Sequence, residues 1–234
     1  MGSSKIFSAS AACRSIGDGA TVLVGGFGQP GTPNSLLRQL LAQETKQLTL
    51  IKNDASEPGL GISPLIEAGR VDRLIASHVG LNPLAVALMN EGRLKIDIYP
   101  QGILAEKIRA GGAGLGGILT DIGLHLDPSP AAQLVEIEGI RYKIEPALRG
   151  NVALIHAERA DEMGNLVFAK TAYNFNPVMA MAADLVIVET AEIVPAGAID
   201  PDHVHLPGAF VDRLVLIEEF GPEYGVLKHH ALQT

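Results

Sequence analysis

The 234-residue sequence contains no tryptophan, a single cysteine and few aromatic residues of any kind, with six Phe and four Tyr. The lone cysteine, Cys13, excludes an intrachain disulfide. A chain of this length needs none, because it can bury most of the surface its unfolded form would expose. The same cysteine usage fits a reducing compartment, so the expected location is cytoplasmic. Blocks of like charge are also missing. Charged residues amount to 19%, the formal net charge is −8, and the basic residues are scattered. A nucleic-acid surface needs a basic stripe with aromatic platforms, so no nucleic-acid partner is expected. No apolar run approaches the roughly 20 residues that span a bilayer, and Met1-Gly2-Ser3-Ser4-Lys5 lacks the apolar core of a signal peptide. Gly2 invites myristoylation, yet no second anchoring signal accompanies it, and no membrane association is expected.

What is present is a regular alternation of short apolar runs and segments of helical period. Ala20–Val24 reads as a buried strand, Asn34–Leu41 carries the leucine spacing of an amphipathic helix capped by Thr32 or Asn34, and Leu48–Ile51 is a second strand. The pattern recurs as strand Arg73–Ser77, helix Leu84–Asn90, strand Leu94–Tyr99 and helix Ile103–Arg109. Continuous apolar runs at Val152–His156, Leu185–Val188 and Leu214–Ile217 have the character of strands covered on both faces. Between them, Val135–Tyr142 alternates and turns at Gly139, predicting an exposed hairpin. No tandem repeat, low-complexity tract or flexible linker interrupts the chain. The predicted fold is α/β, an open and mainly parallel sheet with helices on both faces, as a single domain over residues 5–230.

In such a sheet ligands gather at the carboxyl ends of the strands. Loops begin there after Val24, after Ile51 and after Tyr99. Glycines in the first, Gly25-Gly26-Phe27-Gly28, let the backbone approach a ligand and aim N–H groups at negative charge, or simply form a tight turn. The loop fails the Walker pattern, which needs a closing Gly-Lys-Ser/Thr, and Pro30 and Pro33 break the Rossmann spacing. The run Gly111 to Gly117 is expected either as a mobile loop over a site or as dense packing against another subunit.

Four ordered blocks resemble the alpha subunits of family I coenzyme A transferases. They are Val24–Pro33; Pro100-Gln101-Gly102 continuing to Gly114; Asp161-Glu162-Met163-Gly164-Asn165 continuing to Pro177; and Asp200–Gly208, ending at Phe210-Val211-Asp212-Arg213. The resemblance covers most of the chain from about Val22 onward. It implies the same fold and a ping-pong transfer of CoA between an acyl-CoA and a carboxylic acid such as a 3-oxoacid, through a glutamyl-CoA thioester. It also implies a hetero-oligomer in which the nucleophilic glutamate belongs to a partner beta subunit, with no cofactor, CoA being a substrate. No catalytic residue is therefore expected in this chain, which holds no Glu-Asn-Gly; the nearest imitation, Asn90-Glu91-Gly92, falls in a connection. The family match places Asn53, Asp54 and Gln101 in the carboxylate pocket, with Gly25, Gly26, Phe27 and Gly28 beside the thioester.

This sequence departs from the family pattern at Asp54, where an asparagine is usual, and at Leu81, where an acidic residue is. Asp54 is expected to be protonated, to pair with Lys52, or to mark a different substrate. The stretch Gly116–His125 also replaces a more aromatic segment. The alternative reading is a relative of the same fold that hydrolyses or hydrates a CoA-linked group, or a non-catalytic CoA-binding subunit. Asp202, His203 and His205 have zinc-compatible types, but no further ligands accompany them and no metal is expected. Cys13 is read as a packing residue, Asp212-Arg213 as an ion pair and His229-His230 as a solvated tail.

Overall fold

The computed structural model describes residues 4–124 and 133–224. The chain enters through helix α1 (Ala9–Cys13) and then alternates β1 (Thr21–Val24), α2 (Asn34–Ala42), β2 (Leu48–Ile51), α3 (Ser63–Glu67), β3 (Val71–Ala76), α4 (Pro83–Asn90), β4 (Lys95–Ile98) and α5 (Gln101–Gly112). A small excursion follows, β5 (Gly117–Thr120), β6 (Leu134–Ile137) and β7 (Ile140–Pro146). The chain then returns through β8 (Gly150–Asp161), β9 (Leu166–Val167), α6 (Asn176–Met181), β10 (Ala183–Val194) and β11 (Arg213–Leu216).

The main sheet runs β11-β10-β8-β1-β2-β3-β4, with every neighbouring pair parallel; β9 adds an antiparallel partner to β8. Strand order reverses at β1, which lies between β2 and β8, so a crevice opens there at the carboxyl edge. Side chains alternate across the sheet. Val22 and Val24 therefore join one core with Leu36 and Leu40 of α2, Leu65 of α3 and Ala85 of α4. Leu23 points the other way and joins Leu104 and Ile108 of α5 and Met179 of α6. Helices thus cover both faces, as the apolar runs predicted. No described helix is long and apolar enough to cross a membrane.

Several local expectations need correction. Helix α5 extends from Gln101 through Gly112, because Gly111 and Gly112 are not a loop. A Cβ at Gly111 would lie 2.0 Å from the Leu148 carbonyl oxygen, and one at Gly112 would lie 2.8 Å from Met181 Cβ. Gly111, Gly112 and Gly117 therefore pack tightly within this chain, whereas Gly114 and Gly116 face open space. Neither Thr32 nor Asn34 caps α2, whose first residue is Asn34 and whose N-cap Pro33 offers no side-chain bond. Asp212 and Arg213 go to separate partners: Asp212 Oδ2 accepts from Val186 N at 2.7 Å, and the Arg213 guanidinium donates to Ala12 O and Ser15 Oγ. The predicted hairpin is present as β6 and β7, widened by β5 into a three-stranded antiparallel sheet. His125, His229 and His230 lie outside the described residues, as does the predicted boundary at 230.

Candidate functional site

The four adjacent parallel strands β1 to β4 end at the same edge, and each delivers polar residues to it. β1 leads into Gly25–Gly28, β2 into Lys52-Asn53-Asp54, β3 into Ser77 and β4 into Tyr99-Pro100-Gln101. The centre of the arrangement is the Asp54 carboxylate, which is 6% exposed. Its Oδ2 accepts from Gly28 N at 2.8 Å and Asn53 Nδ2 at 3.1 Å, and its Oδ1 accepts from Ser56 N at 2.9 Å. Lys52 Nζ, fully buried, sits 3.2 Å from Oδ1 and 3.4 Å from Oδ2, and also donates to the Gly28 carbonyl at 3.2 Å. Burial pushes the Asp54 carboxyl up, but Lys52 and the three N–H donors outweigh it and hold the group below the usual carboxylate range. Burial pushes the Lys52 ammonium the opposite way, down, with Asp54 opposing it. Of the three expectations for Asp54, pairing with Lys52 is the one found.

This ion pair clamps the glycine loop from both ends of Gly28. Thr32 Oγ1 adds a bond to the Gly28 carbonyl at 2.6 Å, and Phe27 N closes onto Pro30 O. Gly26 takes φ +100°, where an L side chain is strained, and a Cβ there would lie 2.2 Å from Thr32 Oγ1. Gly25 N donates to Leu154 O, Phe27 N to Pro30 O and Gly28 N to Asp54. Among the described residues Gly26 N–H, on a buried residue, alone of these four amides donates to no group. Phe27 stands half exposed beside it.

Asn53 continues the network outward. Its Oδ1 accepts from Gln101 Nε2 at 2.8 Å and from Ser77 Oγ at 2.9 Å, while Ser77 Oγ also reaches Asn53 O at 2.8 Å. Gln101 is the exposed first residue of α5, and its amide oxygen makes no bond within the described residues. The residues expected together, Gly25, Gly26, Phe27, Gly28, Asn53, Asp54 and Gln101, form one connected edge. Both Asp54 oxygens are met by protein donors.

A second buried group lies beneath the start of α2. Glu189, fully buried on β10 and in register with His156 of β8, holds His156 Nδ1 at 2.9 Å and accepts from Leu36 N at 3.0 Å and from Tyr224 Oη at 2.5 Å. Tyr224 Oη in turn accepts from Ser35 N at 2.8 Å. Two orphan amides of α2 thus find acceptors on distant parts of the chain. Burial, with the nearby Glu189 charge, pushes the Tyr224 hydroxyl up. Asn176, also fully buried, locks the crevice by accepting from His156 N and donating to Gly31 O and Ala172 O.

The remaining candidates are dispersed. Glu91 caps the far end of α4, at the amino edge of the sheet, and pairs with Arg93 in solvent. Leu81 is exposed, while Asn82 is buried and caps α4 by accepting from Ala85 N. His205 Nδ1 accepts from Phe168 N and its ring stacks on Phe168, whereas His203 faces Asp200 at the surface. Among the described residues no three His, Cys, Asp or Glu side chains converge as metal ligands. Cys13 is buried, and burial pushes its thiol up to about 12.

A family model described as coenzyme A transferase matches residues 7–216. The chain is 47% identical over 215 residues to a probable coenzyme A transferase subunit alpha of Bacillus subtilis, covering 92% of this chain and 94% of that protein. It is 44% identical over 202 residues to the acetate CoA-transferase subunit alpha of Escherichia coli K12, covering 86% and 92%. Its fold is similar to that of an acyl-CoA transferase of Escherichia coli O157:H7 solved as a thioester complex with CoA, with a TM-score of 0.85 at 26% identity. That match covers 93% of this chain and 48% of the other, so the chain spans about half of that protein's length.

Proposed function

The chain belongs to the coenzyme A transferase family, and on that premise we propose that it is the alpha-type subunit of a two-subunit enzyme moving CoA from an acyl-CoA to a free carboxylic acid. The transfer runs through a glutamyl-CoA thioester whose glutamate is supplied by a beta-type partner. The observation that carries this reading is the clamped loop, with Gly26 N–H uncommitted at the carboxyl edge and the Asn53–Gln101 amides beside it.

Acyl transfer to a carboxylate passes through tetrahedral, negatively charged species, which preorganised N–H donors stabilise. Gly26 N–H is held in place by the Asp54–Lys52 pair and by Thr32, so it needs no reorganisation when charge develops. Gln101, tied to Asn53 through one amide hydrogen, keeps its second amide hydrogen for the bound carboxylate. The names of the relatives, each a subunit alpha, support a partner chain. The subunit's part is to bind, orient and shield the acyl group while the partner's carboxylate attacks.

The test is transfer from succinyl-CoA or acetyl-CoA to a panel of acids, with this chain alone, the partner alone and the two together. Activity is expected only from the mixture and only with an acceptor acid present. Gln101→Ala in the mixture is expected to lower kcat/KM by roughly 10- to 100-fold with an unchanged melting temperature, since the residue is exposed. CoA release without any acceptor would replace the transferase reading by a hydrolytic one. Activity of this chain alone would mean that the nucleophile is in it.

A further inference from the structure

A charge imbalance lies behind the Gln101 edge. Lys143 and Glu145 are two residues apart on β7 and so share one face of that strand. α5 brings Lys107 against the same carboxylate from the other side. Glu145 Oε2 meets Lys107 Nζ at 2.6 Å and Oε1 meets Lys143 Nζ at 2.8 Å. All three are buried, with exposures of 2% for Lys107, 7% for Lys143 and 8% for Glu145. Burial pushes the Glu145 carboxyl up, but the two lysines outweigh it and hold it below its usual range. One carboxylate therefore faces two ammonium groups. Lys107 has a further neighbour, the Tyr99 ring, 4.3 Å from its Nζ. Lys143 has no such second partner among the described side chains.

Lys143 and Glu145 form one wall of a cleft of about 400 Å³, whose other wall includes Ser77, Tyr99 and Pro100. That volume suits a small organic ligand. The cleft also adjoins the proposed acid site, because the same Ser77 hydroxyl bonds to Asn53 Oδ1, the acceptor of Gln101. A buried positive charge in excess is costly unless an anion completes it.

We propose that this cleft is a second anion subsite, in which Lys143, backed by Lys107, binds a negatively charged group at the far end of the acid that exchanges CoA. The inference rests on the transferase reading and narrows it to acids carrying two anionic groups. One carboxylate reacts at the Asn53–Gln101 edge, and the other supplies the counter-charge that Lys107 and Lys143 lack. An acid of equal length with an apolar end leaves the ammonium uncompensated and loses a charge-assisted bond.

Succinate and butyrate have the same chain length and differ at the far end, so they are the probes. In the assembled two-subunit enzyme, kcat/KM for succinate as acceptor should exceed that for butyrate. Lys143→Met should collapse the succinate-to-butyrate ratio by about 10- to 100-fold, chiefly through KM for succinate, and Lys143→Arg should restore most of it. An equal fall for both acids, or a wild-type enzyme without preference, overturns the proposal. If no acid accepts CoA, the transferase reading fails instead, and the subsite is judged by binding alone. Succinate, but not butyrate, must then raise the melting temperature of the wild-type chain, and the increment must vanish in Lys143→Met. Should Lys143→Met not fold, Lys143→Gln serves the same comparisons.

Discussion

Replacing Asp54 by alanine should destabilise the chain by about 3–5 kcal/mol and abolish CoA transfer by the assembled enzyme. The magnitude follows from what the carboxylate leaves behind. Lys52 is fully buried and would keep a charge with only the Gly28 carbonyl for company. Gly28 N and Ser56 N would each lose a buried acceptor. For a domain of this size such a loss lowers the melting temperature by roughly 6–20 °C. Removing both charges together, as Lys52→Met with Asp54→Asn, should recover most of the stability, because no unpaired ion then remains. It should not recover transfer, because the glycine loop has lost its clamp and Gly26 N–H its fixed position.

The same pair sets a pH dependence whose sign is determined. The Asp54 pKa is depressed in the folded chain, so its contribution is present above the unfolded carboxylate value of about 3.9 and is lost as pH falls through the lower folded value. The gap in melting temperature between wild type and Asp54→Ala should therefore be level from about pH 5 to pH 8 and narrow below about pH 4. A gap that stayed constant into that acid range would mean that Asp54 acts by packing and not as an ion.

Much of this frame was legible in the residues. Short apolar runs and a 3.6-residue period located β1 to β4 with α2 and α4, because each strand is covered on both faces and each helix on one, whereas the single-turn α3 (Ser63–Glu67) is too short to show a period and was not expected. The site followed from topology, since parallel strands place their following loops at one edge. What stayed hidden was the partner of each polar group. Glu189 stands at the end of the apolar run Val186-Ile187-Val188 and reads locally as the place where a strand meets solvent, yet it is fully buried. Its acceptor role depends on α2, β8 and residue 224, all more than thirty positions away. Lys143 and Glu145 lie just past the expected hairpin Val135–Tyr142, and nothing in the local alternation shows that α5 packs on them. The length of α5 was missed because glycine propensity argues against helix, whereas here the absent Cβ is what lets α5 approach Leu148 and Met181.

Glu189→Ala should cost about 3 kcal/mol or more and weaken transfer even where the chain remains folded. The carboxylate is the common partner of Leu36 N, Tyr224 Oη and the His156 ring. Its charge also opposes the positive end of the α2 dipole, an effect confined to the first turn, where it sits. Glu189→Gln keeps the shape and one oxygen, so it should lose roughly half as much as alanine does. Tyr224→Phe removes a single hydroxyl, leaves Ser35 N without its acceptor, and should cost about 1 kcal/mol. The functional consequence follows from sequence adjacency: α2 begins at Asn34, where the loop that opens at Gly25 ends. Amide hydrogen exchange of Gly26 to Leu36 should rise in Glu189→Ala while exchange in β2 and β3 stays slow. Uniformly faster exchange would instead assign Glu189 to global stability alone, and fast exchange confined to the loop would show that the α2 terminus is what keeps the Gly26 donor in place.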